Sequence, residues 1–543
     1  MAMETETALV SQDTSDEEKV AIVAVGLAAT LFAIGLAAVF DVLELTDRLL
    51  GLQVVQLIGS LLLLLGGTVI VFGLGSWLGA VETEPQPSAG LITASVFGGV
   101  WFVASGLVAS QTLGIGTGGW VLAAVVGGAI GFGITAVPRE DIGSTLPAGL
   151  FASLVGVAFL SGLIGPSWAW DLGWEQKATL LADIVVPSLT LFTALLVGWA
   201  SAKAYGGFGA RGRHMGAYLL VYLNAGSIVA LLFLLVAFTA IKGSAGLFTG
   251  LVVGSGAGPT TTIGLFGFGF SFEWPFYWPF AMNGVSLMND FNGVFPAIVG
   301  TVWLVIGAVL FAVPLGVGAA VFLTEYAERG RFTQVVEVAT NGLWSTPSIV
   351  FGLFGFAFLV PRFGGKKSLI SGMLTLGFML LPLVLITTRE ALLTVPDEYR
   401  DASAALGVKN WQTIRSVVLP AALPGVVTGV ILGVGRIAGE TAPILLTMAG
   451  SPSPPAGQAA DVIGGFQFTG SPPFVSNPEL LQATAALPYQ LFALIQAGVG
   501  KSSGIQNLDQ FRWATALILL IVVLSFYAIG IASRYYFRRQ LES

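Results

Sequence analysis

Long apolar runs recur along the whole chain, and they limit what it can fold into. The hydrocarbon core of a bilayer needs about 20 apolar residues per helix, and runs near that length recur roughly twelve times. Spans must be helical, because an open sheet edge in lipid leaves backbone groups unpaired. The sequence therefore predicts an all-α, polytopic membrane protein with about twelve transmembrane helices. We place the spans at 21–41, 52–79, 89–110, 119–137, 145–165, 178–202, 217–241, 294–323, 346–361, 369–387, 421–447 and 512–533.

The composition supports lipid as the main solvent. Of 543 residues, 55% are hydrophobic and only 10% are charged, whereas a soluble domain carries about 25% charged residues. The chain has no cysteine, which excludes disulfides and thiolate metal sites, and its single histidine, His214, argues against a zinc or haem centre. We expect no metal, no cofactor bound by this chain and no nucleic-acid partner.

Charge placement predicts how the chain is oriented. Residues 1–20 form an acidic tail without a basic n-region or a small-residue cleavage site, so we expect a cytosolic tail and not a signal peptide. Basic residues concentrate in 203–216, in 388–420 and after the last span, which assigns these segments to the cytosol of a plasma-membrane protein. The long segments 242–293 and 448–511 are predicted to lie outside.

The cytosolic stretch EYRDASAALGVKNWQTIRSVVLP, residues 398–420, is unusually polar for this chain. We predict a helix over 398–406 capped by Asp397, and a left-handed Gly407 just after it. Asn410 is expected to cap a second short helix that ends at the Leu-Pro pair. Two short helices with a fixed elbow could transmit a push from a bound partner. An ordinary solvated loop that happens to be helical is the alternative interpretation.

The same stretch contains a spaced pattern. The pattern reads Asp401-Ala402-Ser403, three residues, Gly407, nine residues, Val417, one residue, Leu419-Pro420. It resembles the EAA signature of ABC-importer permeases, with Asp for Glu, Ser for Ala and Val for Ile. In that family this segment is the coupling helix, which docks in a groove of a cytosolic ATPase. The resemblance implies ATPase-coupling roles for Glu398, Tyr399, Asp401, Ala402 and Gly407.

A second sequence string points to one subfamily of these permeases. GRIAGETAPILLT, Gly435–Thr447, is similar to the A-type permease subunits of phosphate importers. The likeness covers 210–540 and implies a type I importer (MetI-like) permease core of six helices, preceded by a six-helix membrane extension at 21–202 of unknown role. That extension shows no motif, and we assign no charged residue in it to membrane depth. The family often has R-T-T-E before the coupling segment; here the arginine is displaced to Arg389, so its family role is not carried over.

Two ionisable residues fall inside a predicted span. Arg436 and Glu440 are four residues apart, which places them on one face of a continuous helix. Charges at membrane depth usually face a cavity or each other. The resemblance favours a translocation pathway in which Arg436 attracts phosphate and Glu440 holds the arginine. Thr441 either adds a hydroxyl to this pathway or is a small residue that lets helices pack closely. The alternative is a structural ion pair that fastens this helix to its neighbour.

Apparent nucleotide motifs lack their structural context. The GxGxxG at 114–119 lies between two predicted spans, and Gly500-Lys501-Ser502 lacks the first glycine of a Walker A loop. We therefore expect no enzymatic activity in this chain, and ATP with Mg²⁺ is expected on a partner ATPase. The resemblance implies a second, C-type permease subunit, a cytosolic ABC ATPase dimer, an external phosphate-binding protein, inorganic phosphate and the lipid bilayer as partners. Another oxyanion as cargo, or a membrane sensor or scaffold that docks a signalling protein, are the alternatives.

Overall fold

The computed structural model describes residues 16–542, apart from 41, 172–178, 255, 266–267, 286–291, 329, 453, 473 and 498–507. Most of the predicted acidic tail and the Gly500-Lys501-Ser502 string lie outside the described residues. Within the described part of the chain, eleven helices are long and apolar enough to cross a membrane, and one bent pair could add a twelfth. The predicted all-α, multi-pass architecture is confirmed.

The chain divides into two compact units, Met1–Phe238 and Thr239–Ser543, and the division falls inside one long helix. The bounds predicted for the extension and the permease core remain predictions. The helices that begin in the first unit are α1 (Asp16–Val39), α2 (Val54–Trp77), α3 (Leu91–Leu107), α4 (Thr117–Ala136), α5 (Glu140–Leu160), α6 (Ala182–Tyr205) and α7 (Gly209–Leu247), with a π-helical turn at Val108–Thr112. Two short antiparallel pairs join them: β1 (Arg48–Leu49) with β2 (Leu52–Gln53), and β3 (Ala169–Asp171) with β4 (Thr179–Leu181).

Facing glycines bring α2 and α5 into close contact at the centre of the first unit. A Cβ added to Gly66 would lie 2.6 Å from the carbonyl oxygen of Gly149, and one added to Gly156 would lie 2.7 Å from that of Gly59. On each helix the glycines are seven residues apart, close to two helical turns, so they repeat on the same face. Small residues let the backbones of two membrane helices approach closely. Van der Waals packing then stabilises the pair, because the hydrophobic effect does not drive helices together within lipid.

The second unit contains the remaining elements. Its strands form three antiparallel pairs: β5 (Val252–Val253) with β8 (Phe276–Tyr277), β6 (Thr260–Leu265) with β7 (Phe268–Glu273), and β9 (Gln467–Phe468) with β10 (Val475–Ser476). Its helices are α8 (Pro279–Met282), α9 (Phe295–Val321), α10 (Arg331–Ser345), α11 (Ser348–Phe354), α12 (Val360–Arg362), α13 (Leu369–Leu393), α14 (Asp397–Ala405), α15 (Asn410–Thr413), α16 (Leu419–Ala438), α17 (Ala442–Thr447), α18 (Leu487–Ala497) and α19 (Leu508–Glu542). Short 3₁₀ helices lie at Ala456–Gln458 and Pro478–Leu481, and π-helical turns at Phe322–Tyr326, Gly355–Leu359 and Ile414–Val418.

Helix α13 is the most buried span of this unit and packs along α9. Gly307 of α9 contacts Met373 of α13, and a Cβ added to Gly316 would lie 2.8 Å from the Val384 side chain. Residue numbers increase together along both helices, so α9 and α13 run parallel. Two consecutive parallel spans require the chain between them to cross the membrane once more.

That intervening chain is the bent pair formed by α10 and the helix from Ser348 to Arg362, whose arms meet at 102°. Because α9 and α13 are parallel, we interpret the pair as a broken span and not as a re-entrant loop. The straight span predicted at 346–361 is therefore only its second arm. Thr346 and Pro347 have extended backbones, as expected at and before a proline. The polar residues of α10 diluted the apolar signal that would have revealed the first arm.

Candidate functional site

The predicted coupling helix is present as α14, but it is not capped as expected. The N-cap residue is Pro396 and no side chain caps the helix, so the prediction that Asp397 is the cap is wrong. Proline fixes its own φ and disfavours helical geometry in the residue before it, which sets the boundary at this point. Asp397 instead lies in the first turn, where a carboxylate suits the helix dipole.

The end of α14 follows the prediction for Gly407. This glycine has φ of 72°, its N–H donates to the Ala404 carbonyl at 2.9 Å, and the N–H of Val408 donates to the Ser403 carbonyl at 3.1 Å. These two bonds form a Schellman motif, in which a glycine in the left-handed region closes the helix. The elbow is thereby fixed by backbone bonds.

The second helix of the coupling segment differs from the prediction. Lys409, not Asn410, occupies the N-cap position, and α15 continues through a π-helical turn at Ile414–Val418 into α16. Ile414 and Val418 are buried in a small apolar cluster, which favours a continuous helix over a second elbow. Pro420 lies at the start of α16 as predicted, but the helix runs on from the π-helical turn, so its missing N–H removes a bond from a continuous helix.

The predicted coupling residues are all exposed. Glu398, Asp401 and Ala402 are exposed, and large apolar side chains lie among them: Tyr399 is 52%, Leu406 82% and Trp411 58% exposed. Exposed aromatic and apolar groups bordered by charges are typical of surfaces that bind another protein. All five predicted coupling residues therefore lie within one short helix and its closing turn.

Arg400 is a residue of α14 whose role sequence reasoning missed. Its guanidinium donates to the Glu325 carboxylate from Nε at 3.2 Å and from Nη2 at 2.8 Å, and this pairing raises the pKa of Arg400 above its ordinary value. Hydrogen bonding to the charged form of a group favours that form. The TEYA string that follows the predicted span over 294–323 contains Glu325, but nothing in the sequence pairs it with Arg400.

The displaced arginine of the family pattern also forms a contact between helices. Arg389 Nη1 donates to Glu337 Oε1 at 3.1 Å, which joins α13 to α10. Both residues line a polar cavity of about 180 Å³ together with Thr340 and Asn341.

The predicted pathway residues are not arranged as the sequence suggested. Helix α16 ends at Ala438 with Gly439 as its C-cap, so Glu440 lies beyond the helix and the four-residue spacing does not place it beside Arg436. Among the residues that the structure describes, these two form no ion pair. Glycine disfavours helix continuation, and the string Gly439-Glu440-Thr441 turns the chain into α17, with Thr441 as N-cap residue.

Arg436 is held by an aromatic ring instead of a carboxylate. Its guanidinium carbon lies 4.2 Å from the centroid of the Trp344 ring, in the last turn of α10. A cation over the face of a tryptophan is attracted electrostatically by the ring. Because the ring presents no acceptor oxygen, the planar N–H groups of Arg436 are not consumed by this contact, and an oxyanion suits their geometry.

The first unit contains a buried charged cluster where the sequence suggested none. Glu140 and Lys203 are each 1% exposed, and their Oε1 and Nζ atoms lie 2.7 Å apart. Glu140 Oε2 also accepts from the backbone N–H groups of Gln86 and Gly209, both at 3.0 Å. Helix α5 starts at Glu140, five residues before the span predicted from 145. A search for apolar runs excludes charged residues such as Glu140 and Lys203, but an ion pair between them allows both side chains to be buried.

Comparison with known proteins shows which family the chain belongs to. Residues 312–539 match the model of the binding-protein-dependent transport system inner membrane component. The phosphate transport system permease protein PstA of Xylella fastidiosa (strain Temecula1 / ATCC 700964) is 32% identical over 236 residues, which cover 43% of this chain and 71% of that protein. The chain belongs to the binding-protein-dependent transport system inner membrane component family. The family resemblance inferred from residues 401–420 and 435–447 is confirmed, and so is the multi-pass membrane location.

A second relative agrees with membership of this inner membrane component family. The phosphate transport system permease protein PstA 1 of Mycobacterium tuberculosis (strain CDC 1551 / Oshkosh) is 40% identical over 177 residues, which cover 33% of this chain and 58% of that protein. The chain thus spans little more than half the length of this relative. A solved structure of the MetNI methionine ABC transporter in an inward-facing conformation is 18% identical, with a TM-score of 0.32 over 45% of this chain and 94% of that chain.

Proposed function

We propose that this chain is the membrane-spanning permease subunit of an ATP-driven importer of inorganic phosphate. It takes phosphate from an external binding protein and releases it to the cytosol by alternating access. A second, C-type permease subunit completes the pathway, and a cytosolic ABC ATPase dimer hydrolyses ATP with Mg²⁺. The chain itself catalyses no covalent chemistry.

The observation that carries the proposal is the exposed coupling surface of α14. Its residues match a family pattern for docking an ATPase, and two backbone hydrogen bonds at the left-handed Gly407 close the helix. The bulky Tyr399 and Leu406 are half or more exposed, as a docking surface requires. Phosphate as the cargo is supported by the GETAP string and by relatives that are phosphate permeases in name.

Arg436 supports an anion pathway. It lies at the end of α16, beside the break that carries Glu440 and Thr441. Broken membrane helices often line transport sites, because backbone at membrane depth must face protein or a polar cavity. We propose that Arg436 positions phosphate, that Trp344 holds the arginine, and that Glu440 and Thr441 lie along the same path.

The mechanism follows from how the coupling segment is built. Closure of the ATPase dimer on ATP would move α14, and the parallel spans α9 and α13 end close to it. Rigid helices that shift between two packed arrangements then open the pathway alternately to each side. ATP hydrolysis and phosphate release are linked by this single movement.

Reconstitution tests the proposal directly. Proteoliposomes would hold this chain, the C-type permease and the ATPase, with the binding protein outside, and the assays would follow ATP hydrolysis and labelled phosphate uptake. We expect ATP-dependent uptake that excess sulfate does not inhibit. Asp401→Lys should reduce uptake by about tenfold or more, because a reversed charge at a docking surface repels the partner.

Asp509→Lys is the matched control, since it makes the same charge change at an exposed position of α19. It should transport normally. Uptake that sulfate competes away would keep the importer and reject phosphate as its cargo. Stable assembly without any flux in the unmodified chain would favour the sensor or scaffold.

A further inference from the structure

Arg400 points away from the docking surface of α14. It is 23% exposed, whereas its helix neighbours Glu398, Tyr399 and Asp401 are exposed. An arginine is seldom buried to this extent unless its charge and its N–H groups are paired. Its orientation therefore suggests a task inside the protein and not at the ATPase interface.

Every N–H donor of this guanidinium has a partner. Arginine has five such donors, and the structure shows five bonds. Two reach the Glu325 carboxylate, at 2.8 and 3.2 Å, and one reaches Asp397 Oδ1 at 3.2 Å. The other two reach backbone carbonyls, Val395 O at 2.9 Å and Leu392 O at 3.2 Å. A planar group with all its donors used is held in one orientation.

These partners belong to three different parts of the second unit. Glu325 lies in the π-helical turn that ends α9 and is 6% exposed. Leu392 and Val395 belong to the end of α13 and the linker after it, where helix carbonyls lack intrahelical partners. Arg400 thus joins the coupling helix to the ends of both parallel spans.

Movement of α14 can also pass through α15 into α16, whose start lies in an apolar cluster with the ends of α9 and α13. The linker from α13 to α14 consists of residues 394–396, and a three-residue linker alone can bend. The ion pair between Arg400 and Glu325 joins α14 directly to the end of α9, and this contact does not pass through the linker. Bidentate pairing resists both sliding and rotation, because two parallel bonds define a plane.

We propose that Arg400 is the positioning residue that transmits movement of the coupling helix to α9 and α13. This inference rests on the proposed function. Removal of Arg400 should leave the ATPase docked but disconnect its movement from the spans. ATP would then be hydrolysed without matching phosphate uptake.

The experiment compares Arg400→Met with the unmodified chain in the reconstituted importer. We expect the affinity for the ATPase dimer to stay within about threefold, and phosphate uptake per ATP hydrolysed to fall by about tenfold, within the usual range of coupling between sites. Arg400→Lys should give an intermediate ratio, since an ammonium cannot make the planar bidentate contact. Glu325→Gln, nearly identical in shape, should lower the ratio in the same direction.

Arg331→Met is the matched control, because it removes an exposed arginine at the start of α10 on the chain that follows α9. It should keep the uptake ratio of the unmodified chain. An unchanged ratio in Arg400→Met would overturn the inference, and so would loss of ATPase binding, which indicates a merely structural role. Absence of ATP-driven uptake in the unmodified chain is a different result, which rejects the proposed function itself.

Discussion

The buried Glu140–Lys203 pair shows how single residues can decide the architecture of an apolar protein. Both side chains are almost fully enclosed, and Ser144 Oγ accepts a further bond from Lys203 Nζ at 2.8 Å. The pair connects the start of α5 to the end of α6, and the bond from Gly209 adds the start of α7. A buried charge is tolerated only while its partner remains, so the cluster should stabilise this end of the unit strongly against separation.

We predict that Lys203→Met lowers the free energy of unfolding by about 3–5 kcal/mol, the usual cost of leaving one buried charge unpaired. Thermal unfolding in detergent would measure the change. Arg213→Met removes the same charge from a side chain that is 53% exposed and 4.0 Å from Glu140, so its effect should stay within about 0.5 kcal/mol. Adding Glu140→Gln to Lys203→Met should restore part of the loss. Equal effects of the two single substitutions would refute this account.

Residue-level prediction from the sequence succeeded where local backbone chemistry decides the outcome. Gly407 adopts the left-handed conformation because a helix end requires it there, whatever the surroundings. The prediction that Asp397 is the N-cap residue was wrong, because the neighbouring Pro396 occupies the N-cap position. The contact of Arg400 with Glu325 joins residues 75 positions apart, and no local pattern encodes such a distance.

At the level of elements, glycine spacing decides which spans pack closely. Gly66 and Gly67 are neighbours on α2, yet only Gly66 faces α5, while a Cβ on Gly67 would meet nothing within 4 Å. The sequence contains this seven-residue repeat, but composition alone does not identify the partner helix. Breaks within helices were harder to predict, because α16 stops at Gly439 inside the mostly apolar run 421–447, which reads as one span.

We predict that Gly66→Val destabilises the protein by about 1–3 kcal/mol, the usual cost of overpacking a tight interface. Gly67→Val is the matched control on the next residue and should change stability by less than about 0.5 kcal/mol. Both substitutions carry the same helix-propensity effect, so their difference isolates the packing between α2 and α5. Thermal unfolding of the two variants in the same detergent measures it. If Gly67→Val were as damaging as Gly66→Val, close packing of α2 on α5 would not be the cause.

For the whole molecule, the direction of each span determines which residues can meet a cytosolic partner. Helices α9 and α13 run parallel, so their last turns lie on the same side of the membrane, beside α14. The apolar runs predicted this arrangement, because one further predicted span, 346–361, lies between the two spans and makes them run in the same direction. They could not show that one of the spans is bent by 102°, because the polar residues of α10 give the first arm no apolar run.

The broken span can be tested by labelling from one side, and the chain is well suited because it contains no cysteine. Single cysteines would replace the exposed residues Glu328, before the bent pair, Lys366, after it, and Gln412, in the coupling segment. We expect a membrane-impermeant maleimide added outside intact cells to label Lys366→Cys only. Glu328→Cys and Gln412→Cys should react only after the membrane is opened, because one crossing separates Glu328 from Lys366 and α13 crosses back before Gln412. Labelling of Glu328→Cys and Lys366→Cys from the same side would show a re-entrant loop, and α9 and α13 could then not be parallel spans.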